Sequence, residues 1–302
     1  MHKKLSLFFI LCSLLILSCQ KSSTLTLPQS SSLITSSSVS NLSASDQYIV
    51  DIFSSVGAIH NKALDYVYNQ LDSLTNDPNF DTVPLKQLNE IIFDYLQDSL
   101  QVSGLPLTGL YFSDTAIKNQ GFSSTPISTN VELWTGTQLT SKMKNALAAF
   151  ESIMWNDSIN EQYYKYDSLI NAIVPTLGNN QDKATFTATV SVGKMSRQYW
   201  DINEAKWDSL ANLLESRYYG SSKISSKVSS AGKDILYADC AGAVTGAVRG
   251  AFVGAAGGTM TVPGVGTVAG AACCGLVGMA GGAIGGSAAE AIHSTIKWLL
   301  DW

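Results

Sequence analysis

Ala241-Gly242-Ala243-Val244-Thr245-Gly246-Ala247-Val248-Arg249-Gly250-Ala251-Phe252-Val253-Gly254 opens a tract in which glycine returns at every fourth residue. Gly242, Gly246, Gly250, Gly254 and Gly258 set the register. It resumes at Gly266, Gly270, Gly278, Gly282 and Gly286, with Cys274 in the vacant position. Between the two runs lies Thr261-Val262-Pro263-Gly264-Val265. Two tracts of one period around a Pro-Gly turn predict a glycine-rich helical hairpin over 231–302. In water, five glycines in one helix cost on the order of 4–5 kcal/mol relative to alanine. In lipid the backbone has no other way to satisfy its polar groups, so helix forms despite them. A glycine stripe then lets two backbones approach closely, with right-handed crossings near about −40°.

Length fits the same expectation. The first tract, 240–258, has nineteen residues, roughly 28 Å of helix against a hydrocarbon core of ~30 Å. The second, 267–292, is longer and would tilt or protrude. Tyr237 before the hairpin, and Trp298 and Trp302 after it, sit where an interfacial aromatic belt would lie, both ends on the side of the middle domain. Arg249 is the misfit, since a charge at the bilayer centre costs at least ~2.5–3.5 kcal/mol. Its hairpin neighbour is about Leu276, so Glu290 is out of reach. Either Arg249 faces a polar lumen in an oligomer, or the tract packs against the protein's own helices. Cys240, Cys273 and Cys274 read as small packing residues. In the hairpin register Cys240 and Cys273 stand some 18 Å apart along the axis, well beyond disulfide reach.

Upstream the pattern is all-α and bundle-like over 46–230. Ile49, Ile52, Phe53, Val56, Ile59, Ala63, Leu64, Val67 and Leu71 recur at three- and four-residue steps, one face of a long helix over 46–74 capped by Ser45 or Asp46. A second helix is predicted over 85–100. The Gly-, Ser-, Thr- and Pro-rich stretch 101–137 reads as an extended connection. Helices follow at 138–155, 159–177 (ended or kinked by Pro175) and 202–218. The stretch 184–192 alternates in polarity like a strand, but lacks a partner strand and is read as helix continuing to Tyr199.

Candidate sites in this region each carry a plainer alternative. His60-Asn61 beside Gly57 suggests a polar site in a groove, or else a satisfied core histidine. Tyr163, Tyr164, Tyr166, Tyr199, Trp200 and Trp207 suggest an aromatic ligand face, or else core. Asp94, Asp98, Glu151 and Asp157 have neither paired-carboxylate nor metal-ligand spacing. No zinc-protease, nucleophile-elbow or phosphate-loop motif occurs. No catalytic residue, metal or cofactor is therefore assigned. A net charge of −5 without basic clusters argues against nucleic acid as a partner.

The N-terminus places the chain. Lys3-Lys4, an apolar run over 5–17 and Ile16-Leu17-Ser18-Cys19 read as an export signal over 1–18. The last four residues resemble the bacterial lipobox, which implies cleavage before Cys19 and acylation of that residue, palmitate among the chains. A plain secretory signal is the alternative. Several acyl chains anchor stably where one does not. Residues 20–45 hold eleven serines and no acid, so 19–45 is a flexible lipidated linker with a reach of roughly 25–30 Å. Together the lipobox and the glycine register resemble the bacterial glycine-zipper envelope lipoproteins, and more weakly glycine-rich bacteriocin-like tails. The resemblance covers residues 1–19 and about 240–292. It implies an envelope lipoprotein, on the outer rather than the inner membrane, with membrane lipid and further copies of itself as partners. The large intervening domain and Arg249 depart from that pattern. The rival expectations are a membrane-active, pore-forming effector and a soluble-domain ligand-binding lipoprotein.

Overall fold

The computed structural model describes residues 42–76, 91, 94–95, 125–154, 163–219, 228–255, 259–262 and 266–269. The expected signal, the acylated Cys19 and most of the helix at 85–100 lie outside them. Ile91, Asp94 and Tyr95 are helical. Over the described residues the fold is all-α, apart from one short β-ribbon near the C-terminus.

Helix α1 (Ala44–Phe53) and α2 (Val56–Thr75) divide what periodicity predicts as one helix. The physical reason is a side chain from elsewhere. Ser191 Oγ donates to the carbonyl of Ser54 (2.6 Å) and accepts from the amide of Gly57 (3.2 Å), entering the helical ladder and breaking it. The cap also shifts. Ser43 Oγ, rather than Ser45 or Asp46, accepts from the Asp46 amide at 3.2 Å, as an N-cap serine does.

Helix α3 (Ile127–Thr135) is a short element at the end of the stretch read as an extended connection, of which 101–124 lie outside the described residues. Pro126 stands just before it and Gly136, at φ 66°, just after, the asymmetry that marks helix ends. The Glu151 carboxylate accepts the Ile127 amide at its first turn. Helix α4 (Ser141–Met154) and α5 (Tyr163–Ile173) follow, and Pro175 turns the end of α5 into a single 3₁₀ turn, Val174–Thr176.

Helix α6 (Asn180–Tyr219) is one unbroken helix of 40 residues, joining the stretch through Tyr199 to the helix predicted from 202. Its alternating segment 184–192 is buried on every residue, so hydroxyls as well as apolar groups face protein. Helix accommodates them because a hydroxyl can bond the carbonyl one turn back; Thr189 Oγ1 does so to Thr185 at 2.7 Å. Helix α6 is the spine, touching α1, α2, α4 and α5 along its length.

Helix α7 (Val228–Ala255) carries the first glycine tract and lies along α6 and α3. The expected domain boundary at 230–231 falls inside it. Residues 235–248 are buried without interruption, which in a helix means burial on every face. Leu236, Tyr237, Cys240, Val244 and Val248 join Phe150, Tyr166 and Phe186 in the core. Each large apolar side chain so buried contributes roughly 1.5–3 kcal/mol. The described run 235–248 thus packs against the protein's own helices. Among the described residues no helix is long and apolar enough to cross a membrane.

Strands β1 (Thr259–Val262) and β2 (Gly266–Ala269) pair antiparallel, Val262 opposite Gly266 and Thr259 opposite Ala269. The antiparallel pairing reverses the chain between Val262 and Gly266, on either side of the Pro263-Gly264 pair. The described flanks, 259–262 and 266–269, are extended rather than helical, so Gly266 lies on a strand. Gly258, Gly270, Gly278, Gly282 and Gly286 lie outside the described residues, as do Cys273 and Cys274. Arg249, Gly250 and Gly254 belong to α7 by backbone, and their surroundings lie outside the described part.

Candidate functional site

A buried polar cluster lies where α2, α6 and α7 meet. Asp239, on the buried run of α7, has His60 Nε2 of α2 at 3.5 Å from its Oδ2, with both side chains fully buried. Ser196 of α6 donates its hydroxyl to the same oxygen. His60 Nδ1 lies 2.9 Å from Asn61 Oδ1, and Asn61 Nδ2 donates to the Met195 carbonyl at 2.8 Å. The arrangement draws three helices together through one carboxylate oxygen. Oδ1 of Asp239 is buried without a hydrogen-bond partner, a defect that costs about 1–3 kcal/mol.

Serine, histidine and aspartate in contact invite comparison with a hydrolytic triad, and the geometry refuses it. In a triad the histidine stands between serine and acid, so that it can take the hydroxyl proton. Here the acid stands between serine and histidine, and the group has no solvent-facing side. The site holds helices together.

Just above it, Tyr237 donates its hydroxyl to the Thr125 carbonyl and accepts from Asn130 Nδ2 at 3.2 Å, fastening α7 to α3. Burial pushes the Tyr237 phenol and the Glu151 carboxyl above their ordinary ranges. Burial first, then Asp239 and Glu151, also raises the Cys240 thiol, so Cys240 lacks the thiolate that reactive cysteines require. Its Sγ lies 3.7 Å from Met154 Sδ, in keeping with its reading as a packing residue.

The expected aromatic face divides. Tyr166 is buried with its ring 6.0 Å from that of Phe150, whereas Tyr164 is 61% exposed; the side chain of Tyr163 lies outside the described part. Tyr199, Trp200 and Trp207 do come together, with successive ring centroids 5.4 Å apart, and Tyr68 of α2 meets Trp207 at 5.4 Å. Trp207 Nε1 donates to Tyr199 Oη, which donates to Asp65 Oδ1, both at 3.1 Å. Lys206 bonds the same Asp65 oxygen at 3.1 Å and sits 4.0 Å over the Tyr68 ring. The three α6 aromatics are nearly fully buried, so they pack α6 on α2.

Of the acids singled out, Glu151 caps α3, Asp94 stands on a described helical residue, and Asp98 and Asp157 lie outside the described residues. Among the described residues no group of three or more histidine, cysteine, aspartate or glutamate side chains could hold a metal. Asp239 and Ser196 are the residues that sequence reasoning missed. The signal was available: an acid alone within an apolar helix must find a buried partner, and His60 is the one buried histidine offered by α2.

Comparison with known proteins finds no match. No family model, no curated protein and no solved structure matches the chain.

Proposed function

We propose that the protein is an envelope lipoprotein with a structural, interaction-type role, tethered through Cys19 and associating with further copies through its C-terminal glycine-rich segment. The lipobox-like Ile16-Leu17-Ser18-Cys19 and the serine-rich linker support the tether. One structural observation carries the rest: the helix bearing Gly242 and Gly246 is buried in the helical body over 235–248. The glycine tract and the body are therefore one folded unit, and a pull on the C-terminal segment is transmitted to the tether. In this reading the outer membrane supplies the lipid partner and no cofactor is used.

Acyl labelling and crosslinking of the full chain test it. The native protein should incorporate labelled acyl chains and yield crosslinked dimers or higher species. Cys19→Ala should lose the label and leave the membrane fraction. Labelling that survives Cys19→Ala, or a native chain that stays monomeric in detergent and lipid, refutes it.

The same burial also favours a second reading, the membrane-active effector, because an apolar helix sheathed by amphipathic ones is a segment stored away from water. Release of dye from liposomes by the full chain supports that reading, and intact liposomes at saturating protein refute it.

A further inference from the structure

We infer that α7 is latched: the contacts of Asp239 with His60 and Ser196 hold the first glycine tract inside the body, and association through that tract requires their release. The inference rests on the self-association just proposed and adds its control. Gly242 and Gly246 are buried against the protein's own helices. A second chain therefore cannot use that part of the stripe while α7 stays docked.

The docked interface is built to be strong but not irrevocable. On its apolar side Tyr237, Leu236, Cys240 and Val244 fill the core. On its polar side α7 buries Asp239 Oδ1 and Thr245 Oγ1 without hydrogen-bond partners. Unsatisfied groups weaken the docked state relative to any state in which water or a new partner reaches them. What specifies the docked position is then the convergence of His60 and Ser196 on Asp239 Oδ2. Removing one member leaves the others buried and uncompensated, the situation in which a buried pair becomes a liability.

A reversible lock provides the test. A Cβ built at Gly193 of α6 stands 3.1 Å from Cys240 Sγ, close to the roughly 3 Å between one cysteine's Cβ and the other's sulfur across a disulfide. The Phe150 ring atom Cζ, 2.5 Å from that Cβ, is cleared by Phe150→Leu. The variant Gly193→Cys, Phe150→Leu, Cys273→Ala, Cys274→Ala is prepared as the full chain, oxidised during refolding, and crosslinked in lipid with and without reductant. We expect the oxidised form to remain monomeric and the reduced form to associate as the native chain does. In the unlocked chain, His60→Gln and Asp239→Asn should each raise the dimer fraction at fixed concentration, by about tenfold in the association constant (~1.4 kcal/mol). Equal association in oxidised and reduced forms overturns the latch and leaves self-association standing, through chain beyond α7. Failure of the reduced form and the native chain alike to associate overturns the self-association reading, and the latch with it.

Discussion

Replacing Gly57 with alanine sets two opposed effects against each other in one methyl group. In a helix interior, Gly→Ala ordinarily stabilises by roughly 0.5–1 kcal/mol. Here the new Cβ would run into the Ser191 carbonyl oxygen of α6, with the Ser191 carbonyl carbon at 2.8 Å and Met195 Cγ at 2.7 Å. Backbone cannot rotate out of the way, so α2 and α6 must separate. Overpacking of that kind costs about 1–3 kcal/mol. Separation also strains the bonds from the Gly57 amide to Ser191 Oγ and from Ser191 Oγ to the Ser54 carbonyl, each contributing about 0.5–1.5 kcal/mol. With the helix-propensity gain subtracted, Gly57→Ala should destabilise by about 2–3 kcal/mol. Gly178 is the control, since a Cβ there meets nothing within 4 Å, and Gly178→Ala should be neutral or slightly stabilising. Urea unfolding followed by circular dichroism measures both. A Gly57→Ala protein as stable as the native one would refute the close approach of α2 and α6, and with it the explanation of the break at Ser54–Ser55.

Three further outcomes follow from the same geometry. Lys183 at the Asp46 carboxylate, then the Ser43 hydroxyl, hold the Asp46 carboxyl below its ordinary value of 3.8. That stabilisation is present above the unfolded value and is lost as pH falls through the lower folded one. Asp46→Asn should therefore lower the unfolding free energy from urea titration at neutral pH, by on the order of 1–2 kcal/mol for a lost charge-assisted bond, and match the native chain in strong acid. Burial raises the Glu151 carboxyl, so its contribution has the opposite sign: full below the ordinary carboxylate value of 4.5 and lost as pH rises through the folded value. Glu151→Gln keeps an acceptor for the Ile127 amide and should equal or exceed native stability at pH 7, with no advantage in acid; a large loss at pH 7 would refute this assignment. Finally, a chain ended at residue 227 loses the α7 side chains from the core. It should melt without a cooperative transition by circular dichroism, and a sharp melt like that of the full chain would refute the integral role of α7.

The helical class of the fold was legible because the apolar spacing at Ile49, Phe53, Val56, Leu64, Val67 and Leu71 meets a core on one side, where periodicity carries the signal. The same periodicity could not show the break at Ser54–Ser55, which is imposed by a serine 137 residues away in sequence. Helix α3 escaped notice because its composition resembles loop, although Pro126 and Gly136 mark its ends. The glycine register was legible as helix as far as Ala255, whereas Gly266 takes a strand. Arg249 is the misfit charge of the sequence pattern, and its surroundings lie outside the described part. Asp239, ten residues earlier, was the charge whose need for partners decides where the helix lies. His60 was noticed as a residue without its role, since a single sequence does not state which helix will face it.

The 40-residue spine has a consequence for the order in which the molecule can assemble. Lys183 meets Asp46, Ser191 meets Gly57, and Tyr199 and Lys206 meet Asp65, pairs between 134 and 141 positions apart in the chain. Contacts of such high sequence separation slow folding, because the closure entropy of the intervening loop is spent before any contact rewards it. During synthesis α1 and α2 therefore emerge long before the surface that receives them exists. Until α6 has left the ribosome, Asp46, Gly57 and Asp65 lack these partners, and the docking of α1 and α2 on the spine waits for α6 to be made.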